Sequence, residues 1–148
     1  MKTKVYLDTS VISALFDDRT PERLEMTSEL WPKLYDYEVF ISELVLDELE
    51  RANEQVKVKL FSAVKNFIVL KITKEAEILA GIYVKHGVFP EKYFDDALHV
   101  ALASVNQIGI LLSWNFTHLV KLKTRRMVSL VNLSESILPV EIASPPEL

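Results

Sequence analysis

The chain contains no cysteine, and this absence removes two kinds of structure at once. Disulfide bonds and metal sites built from thiolates are both excluded. No apolar run comes near the roughly 20 residues that a membrane-spanning helix needs, so no membrane association is expected. Met1-Lys2-Thr3-Lys4 precedes only a strand-length apolar run, so we expect no signal peptide and a cytoplasmic protein.

An excess of positive charge is also missing. The formal net charge is -4 at pH 7, from 17 Lys and Arg against 21 Asp and Glu. This balance argues against an extended nucleic-acid-binding surface, although it permits a local basic patch. Glycine is scarce, and no internal repeat, linker or low-complexity segment is present. The length suits a single domain over residues 1–148, which is large enough to bury a proper core.

Short apolar runs alternate with helical patterns along the chain. This alternation predicts an α/β fold, a three-layer α/β/α sandwich around a central parallel sheet of four to five strands. The tail from about residue 133 contains three prolines and is expected to be extended or poorly packed. The expected strands cover residues 4–8, 39–41, 67–72, 110–113 and 127–131.

Asp8 closes the first apolar run, Lys4-Val5-Tyr6-Leu7. Thr9 and Ser10 follow at once, and both are good helix N-caps. Asp8 therefore lies at the carboxyl end of a strand, and in open α/β sheets that edge is where ligands bind. We expect Asp8 to anchor a metal site to which the rest of the chain brings further carboxylates.

In the helix predicted after the second strand, Glu48 falls on the apolar stripe, whereas its acidic neighbours fall on the opposite face. An ionised carboxylate on a buried face is costly unless it is paired or binds metal. Two interpretations stay open on periodicity alone: a buried ion pair, with Arg51 or a lysine, and a metal ligand. The stripe consists of Ile41, Leu44, Val45, Leu49 and Ala52.

Two further regions carry oxygen ligands. Asp95 and Asp96 open a helix that is apolar nearly all round, where the helix dipole favours carboxylates and where simple capping explains one of the two. Ser113 and Asn115 end the fourth strand, so Asn115 shares the position of Asp8, although a turn asparagine fits as well. His118, three residues on, fits a structural or exposed histidine as well as one that touches a phosphate.

Oxygen ligands without cysteine or a histidine pair select hard cations, which means Mg²⁺ or Mn²⁺ rather than zinc. Clustered carboxylates around such a cation support phosphoryl transfer or phosphodiester hydrolysis. A basic run follows the fourth strand, and it is either a solvated loop or a contact for the phosphate backbone of a polynucleotide. The run comprises Lys121, Lys123, Arg125 and Arg126.

Four segments in order resemble the PIN domain, and more narrowly the toxin ribonucleases of VapBC-type toxin–antitoxin pairs. They are Val5-Tyr6-Leu7-Asp8-Thr9-Ser10, Ile41-Ser42 with Leu46-Asp47-Glu48-Leu49, Asp96-Ala97-Leu98-His99-Val100-Ala101, and Leu112-Ser113-Trp114-Asn115-Phe116. The resemblance runs from about residue 4 to residue 131. It implies an α/β/α sandwich, a Mg²⁺- or Mn²⁺-dependent site that cleaves RNA, a small antitoxin partner and a homodimer.

The same resemblance assigns roles. Asp8, Glu48 and Asp96 match the family's three core acidic residues, which chooses Asp96 over Asp95. The usual fourth aspartate is Asn115 here, which can ligate through its carbonyl oxygen but brings no charge, so a second metal is placed in doubt. Ser113 matches a small hydroxyl residue of the family. The expected substrate contacts are Ser10, Ser113, His118, Lys121, Lys123 and Arg125.

Other functions fit less well. A haloacid-dehalogenase-like phosphatase needs a second aspartate where Ser10 stands, and a receiver domain needs one at the end of the 67–72 strand. A catalytically degenerate PIN-like module that binds RNA or protein is the remaining alternative, favoured by Asn115. Four apolar residues are either core or partner contacts, and we favour core: Leu30, Trp31, Leu34 and Tyr35.

Overall fold

A computed structural model describes residues 1–148, and its centre is a five-stranded sheet in the order β3-β2-β1-β4-β5. Every neighbouring pair of strands is parallel. All carboxyl ends therefore lie along one edge, with those of β1 and β4 side by side. The strands are β1 (Thr3–Leu7), β2 (Tyr37–Ser42), β3 (Ile68–Leu70), β4 (Ile110–Leu112) and β5 (Glu141–Ala143).

Seven α-helices flank this sheet, and the predicted three-layer α/β/α sandwich is confirmed. Four of them begin at a side chain that accepts a backbone N–H, namely Asp8, Ser42, Asn53 and Thr73. None of the helices has the length and apolar character that a membrane crossing requires. The helices are α1 (Thr9–Ala14), α2 (Pro21–Lys33), α3 (Glu43–Leu49), α4 (Glu54–Val64), α5 (Lys74–Lys85), α6 (Phe94–Val105) and α7 (Leu122–Ser134).

The core is centred on β1 and α6. Val5, Tyr6 and Leu7 are fully buried, as a central strand covered on both faces requires. Every residue from Ala97 to Ser104 is buried as well, in agreement with the nearly uniform apolar character of α6. Both elements that lead into the candidate site are thus packed on all sides.

The strand predicted at 127–131 is wrong, because these residues lie inside α7. Met-Val-Ser-Leu-Val is a short apolar run that fits a strand as well as a helix. The residues that α7 buries are spaced at helical intervals, and two of them, Thr124 and Asn132, are polar: Thr124, Val128, Val131 and Asn132. Because this stripe packs onto the core, the segment is helical despite its local β-propensity.

The expectation for the tail is wrong in its packing and partly right in its conformation. Residues 141–143 are extended, but they pair in parallel with β4 as the fifth strand. Val140 and Ile142 are only 6% and 3% exposed. A final 3-10 turn, Pro145–Glu147, is closed by a capping box between Ser144 and Glu147 and packs on α2.

The apolar residues at the end of α2 divide between core and surface. Leu30 and Leu34 are buried, in agreement with the core interpretation. Trp31 is half-buried and packs against the ring of Phe67, with 6.0 Å between centroids. Tyr35 is 81% exposed and is not part of the core.

A buried polar cluster joins α5, α6 and α7. The hydroxyl of Tyr83 donates to Oδ1 of Asn132 at 2.5 Å and lies 3.0 Å from Oγ of Ser104. Nδ2 of Asn132 donates to Ser104 at 3.1 Å. Burial raises the pKa of Tyr83 to about 12, so the hydroxyl stays neutral and available as a donor.

We expect Tyr83→Phe to lower the free energy of unfolding by about 1–3 kcal/mol, because it leaves the buried Asn132 oxygen without its donor. Urea unfolding followed by circular dichroism measures the change. The cluster lies among the helices rather than at the sheet edge, so any activity of the folded variant is expected to equal that of the wild type. An unchanged urea midpoint would contradict this account.

Candidate active site

Asp8 is the most enclosed carboxylate at the carboxyl edge of the sheet, with 4% of its surface exposed. Its Oδ1 accepts from the Val11 N–H at 3.3 Å and from Oγ of Ser10 at 2.6 Å. Its Oδ2 accepts from Oγ of Ser113 at 2.5 Å. Burial raises the pKa of Asp8 above its ordinary value, against the opposing effects of the His99 charge and of these donors.

Two serine hydroxyls connect the ends of β1 and β4. Leu7 is paired with Leu112, so the residues that follow the two strands are neighbours. Oγ of Ser10 accepts from the Trp114 N–H at 2.8 Å, and Oγ of Ser113 accepts from the Asn115 N–H at 2.9 Å. Each serine therefore donates to Asp8 and accepts from the β4 loop, which fixes the Asp8 carboxylate in orientation.

Glu48 lies in the last turn of α3 with 22% of its side chain exposed. Its Oε1 accepts from Oγ1 of Thr9 at 2.5 Å and from Nε2 of His99 at 2.7 Å. The partner that periodicity left open is therefore a histidine of α6, and neither Arg51 nor a lysine forms an ion pair with Glu48. Burial raises the pKa of Glu48, but the bond and charge of His99 together with Thr9 outweigh it, so the net pKa lies below the ordinary value.

Asp96 enters the site from the first turn of α6, whereas Asp95 is exposed. Its Oδ2 accepts from Nδ1 of His118 at 2.9 Å, and the His118 ring lies on Tyr93 with 3.9 Å between centroids. Burial raises the pKa of Asp96, and the charge and hydrogen bond of His118 oppose that rise. Asp96 and His118 thus form a pair at the rim of the site.

Asn115 behaves as a turn asparagine. Its Oδ1 accepts from the His118 N–H at 2.9 Å, and its Nδ2 points at Oδ1 of Asp96 from 3.5 Å. The carbonyl oxygen that could ligate a metal is therefore engaged within the loop, and the amide presents a donor to Asp96. Asn115 therefore offers Asp96 a hydrogen-bond donor at a position where a fourth carboxylate would repel it.

The structure gathers seven of the expected residues at this one edge: Asp8, Ser10, Glu48, Asp96, Ser113, Asn115 and His118. The basic run lies beside them rather than among them. Lys121 is the N-cap of α7, and Lys123, Arg125 and Arg126 occupy its first turns instead of a loop. Oγ1 of Thr124 donates to the His118 carbonyl at 2.9 Å, which ties the start of α7 to the site.

Sequence reasoning assigned no role to His99, which is 3% exposed and contacts Glu48. A polar residue three positions after Asp96, inside a helix that is otherwise apolar, is a signal of a buried hydrogen bond. The sequence marks Thr9 only as a helix N-cap, and it marks Tyr6 only as part of the first apolar run. Their hydrogen bonds join segments distant in sequence, so no local pattern points to them.

The donor chemistry of the three carboxylates fits a hard divalent cation. Carboxylate oxygens are the ligands that Mg²⁺ and Mn²⁺ prefer, and burial of Asp8 and Asp96 disfavours their charge until a cation offsets it. No three acidic or histidine side chains converge closely enough to enclose an ion. The residues therefore fit a hydrated cation held by one or two carboxylates rather than a closed cage.

Several solved structures are similar to this chain, including the following three. VapC20 of Mycobacterium tuberculosis, a Sarcin-Ricin loop cleaving toxin, is 21% identical with a TM-score of 0.57, and the match covers 72% of this chain and 86% of that one. Rickettsia felis VapBC2, bound to a DNA fragment from its promoter, is 12% identical with a TM-score of 0.57 over 96% and 98%. VapBC-1 of nontypeable Haemophilus influenzae is 16% identical with a TM-score of 0.59 over 97% and 99%.

The TM-scores show a shared fold, and at identities this low they show the fold alone. No curated protein matches the sequence at a significant level. The family model of the PIN domain matches residues 5–114, which run from within β1 to just past β4 and include every carboxylate of the candidate site. The resemblance of the four sequence segments is thereby confirmed, and the chain belongs to the PIN domain family.

Proposed function

We propose that this chain is a Mg²⁺- or Mn²⁺-dependent endoribonuclease and the toxin of a toxin–antitoxin pair. The observation that carries the proposal is that Asp8, Glu48 and Asp96 lie along one sheet edge, although they are 40 and 48 residues apart in sequence. Carboxylates that share an edge repel one another, and burial adds to that penalty. A fold that nevertheless collects them is expected to use them on a cation.

Asp8 and Asp96 would hold the hydrated cation, and Glu48 would accept from one of its waters through Oε2. When bound, such a cation supplies a water of lowered pKa and positive charge beside the phosphate. Ser10 and Ser113 hold Asp8 in one orientation through their hydrogen bonds. His118 donates to Asp96 through Nδ1 and forms no hydrogen bond through Nε2, so its imidazolium form can donate from Nε2 to a phosphate oxygen of the substrate.

Cleavage of a mixed RNA pool tests the proposal. We expect cleavage with Mg²⁺ or Mn²⁺, none with EDTA, and almost none for Asp96→Asn. Activity that survives EDTA or the Asp96 substitution contradicts a metal-dependent reaction at this site. Growth arrest on expression, relieved by a small protein encoded beside the gene, would support the toxin role over a housekeeping ribonuclease.

The proposed toxin function also implies protein partners. Two of the similar structures are VapBC complexes that match almost the whole of this chain. We propose a small antitoxin protein as partner and a homodimer of this chain. Light scattering after size-exclusion chromatography tests the dimer, and co-expression with the neighbouring small gene tests the complex.

One observation favours a second candidate, a PIN-like module that binds RNA or protein without cleaving. The carbonyl oxygen of Asn115 is used by the His118 N–H and is not free for a cation. A thermal shift with millimolar Mn²⁺ separates the two candidates, since a protein that binds the ion in its folded state is stabilised by it. RNA binding without any Mn²⁺-dependent stabilisation would favour the non-cleaving module.

The basic start of α7 is expected to hold the RNA backbone. Lys121 and Lys123 are exposed and form no ion pair within 4.0 Å, so both are free to neutralise phosphates. Exchanging both for glutamine should weaken RNA binding and lower the slope of log K against log salt by about 1 for each lysine. Fluorescence anisotropy at several salt concentrations measures both quantities.

A matched control lies on α4. Lys59→Gln with Lys65→Gln removes the same charge, and Lys65 lies just before β3, at the amino edge of the sheet. This control is expected to leave the salt slope unchanged. Equal slopes for the two double variants would show that net charge, not the α7 surface, governs binding.

A further inference from the structure

His99 forms two hydrogen bonds in the core directly behind the candidate site. It follows Asp96 by one helical turn on α6, and both of its nitrogens are engaged although the residue is only 3% exposed. Nε2 bonds Oε1 of Glu48 at 2.7 Å, and Nδ1 bonds the hydroxyl of Tyr6 at 2.7 Å. An ionised carboxylate can only accept, so Nε2 is the protonated nitrogen that donates to Glu48.

The Tyr6 side of this arrangement leads back to the helix that carries Glu48. The Tyr6 hydroxyl lies 2.8 Å from Oγ of Ser42, and Ser42 caps α3 through the Val45 N–H at 3.3 Å. Glu48 is in the last turn of the same helix. The bonds Glu48–His99–Tyr6–Ser42 therefore form a closed ring through α3.

This ring joins the three elements that supply the carboxylates. Tyr6 precedes Asp8 by two residues on β1, His99 follows Asp96 by three on α6, and Ser42 starts the helix of Glu48. The two donors to Glu48, from Thr9 and His99, both bind Oε1. Oε2 is thereby left without a donor from the chain and keeps a fixed direction.

We propose that His99 is a positioning residue, which holds Glu48 so that its Oε2 faces the cation held by Asp8 and Asp96. The inference rests on the proposed metal-dependent function, because it assigns the bond between His99 and Glu48 to cation affinity rather than to folding alone. Hydrogen-bonded partners behind metal ligands typically change metal affinity or activity by about 10–100-fold when they are removed.

Two substitutions separate the two bonds of His99. The amide nitrogen of glutamine replaces Nε2, so His99→Gln keeps a donor for Glu48 and loses the bond to Tyr6. The amide of asparagine replaces Nδ1, so His99→Asn keeps the bond to Tyr6 and loses the donor for Glu48. Isothermal titration of the RNA-free protein with Mn²⁺ compares their cation affinity, and steady-state cleavage over a range of RNA concentrations gives kcat and KM separately.

We expect His99→Asn to bind Mn²⁺ about 10–100-fold more weakly and to lose kcat, with KM for RNA nearly unchanged. His99→Gln should stay within about threefold of the wild type. Tyr83→Phe is the matched control for a destabilised core, since it loses a buried hydrogen bond away from the sheet edge and should bind Mn²⁺ normally. Thr9→Val removes the other donor to Oε1 and should weaken Mn²⁺ binding even where a His99 variant fails to fold.

The outcomes separate the inference from the function on which it rests. If the wild-type protein binds Mn²⁺ and both His99→Asn and His99→Gln bind it as tightly as the wild type does, the positioning role is overturned. The proposed function then still stands. The role is also overturned if Thr9→Val binds Mn²⁺ like the wild type and the His99 variants lose affinity only in proportion to stability. Wild-type protein that binds no Mn²⁺ overturns both.

Discussion

Asp8→Asn is expected to reduce RNA cleavage by about 10³-fold or more, which corresponds to about 4 kcal/mol of activation free energy. Asparagine fills the same volume and caps a helix as well as aspartate does, so α1 keeps its first turn. The substitution removes the charge that would hold the cation, and an amide nitrogen cannot ligate a metal. Single-turnover cleavage with the enzyme in saturating excess over the RNA measures the loss directly.

The same substitution is expected to stabilise the metal-free protein at neutral pH. Burial raises the folded-state pKa of Asp8 above its unfolded value. The protonated carboxyl therefore contributes its full stabilisation of the fold below the pKa of the unfolded chain, roughly 3.9. This stabilisation is lost as the pH rises through the pKa of the folded state. At pH 7, well above the unfolded pKa, the buried carboxyl of Asp8 therefore lowers the stability of the fold, and the neutral amide removes that penalty.

Urea unfolding in EDTA at pH 7 and pH 4 checks the second half of this prediction. The gain in unfolding free energy for Asp8→Asn should be clear at pH 7 and should shrink toward pH 4, where the wild-type carboxyl takes up its proton. Asp18→Asn serves as the control, because that carboxylate is exposed and forms no ion pair within 4.0 Å. A variant that is both inactive and unfolded at pH 7 would contradict the account.

Asp8 and Glu48 could be found from the sequence because each breaks a local rule. A carboxylate at the end of a buried strand and another on an apolar helical stripe both demand a partner. Asp96 could not be separated from Asp95 by spacing, since both positions suit the first turn of a helix. The resemblance to the PIN domain chose Asp96, and the structure places Asp96 beside His118 and leaves Asp95 exposed.

His99 could not be assigned because its partners lie 51 and 93 residues away in sequence. A buried histidine reveals that a partner exists but not which residue it is. The same limit applies to α7, where a short apolar run fits a strand or a helix and only contacts with the core distinguish the two. Predictions succeeded where one segment decides its own structure, and they failed where a distant segment decides it.

Removal of residues 140–148 is expected to abolish cooperative folding, although the proline-rich sequence of this tail suggests a dispensable segment. Burial of Val140 and Ile142 contributes about 1.5–3 kcal/mol each. Their loss, with the loss of the strand bonds, is comparable with the lower end of the roughly 5–15 kcal/mol that holds a typical domain. The truncation also exposes the edge of β4, which invites aggregation.

The tail also reaches the candidate site. The Ser113 N–H donates to the Ala143 carbonyl at 3.0 Å, and the hydroxyl of the same serine holds Asp8. Ile142→Ala, which is expected to fold with about 2–4 kcal/mol less stability, should therefore also lower Mn²⁺ affinity. Leu138→Ser is the control, because that side chain is 62% exposed and should change stability by no more than about 0.5 kcal/mol. Urea unfolding followed by near-ultraviolet circular dichroism tests all three variants. A truncated chain that unfolds cooperatively at the wild-type midpoint would show that β5 contributes nothing to the fold.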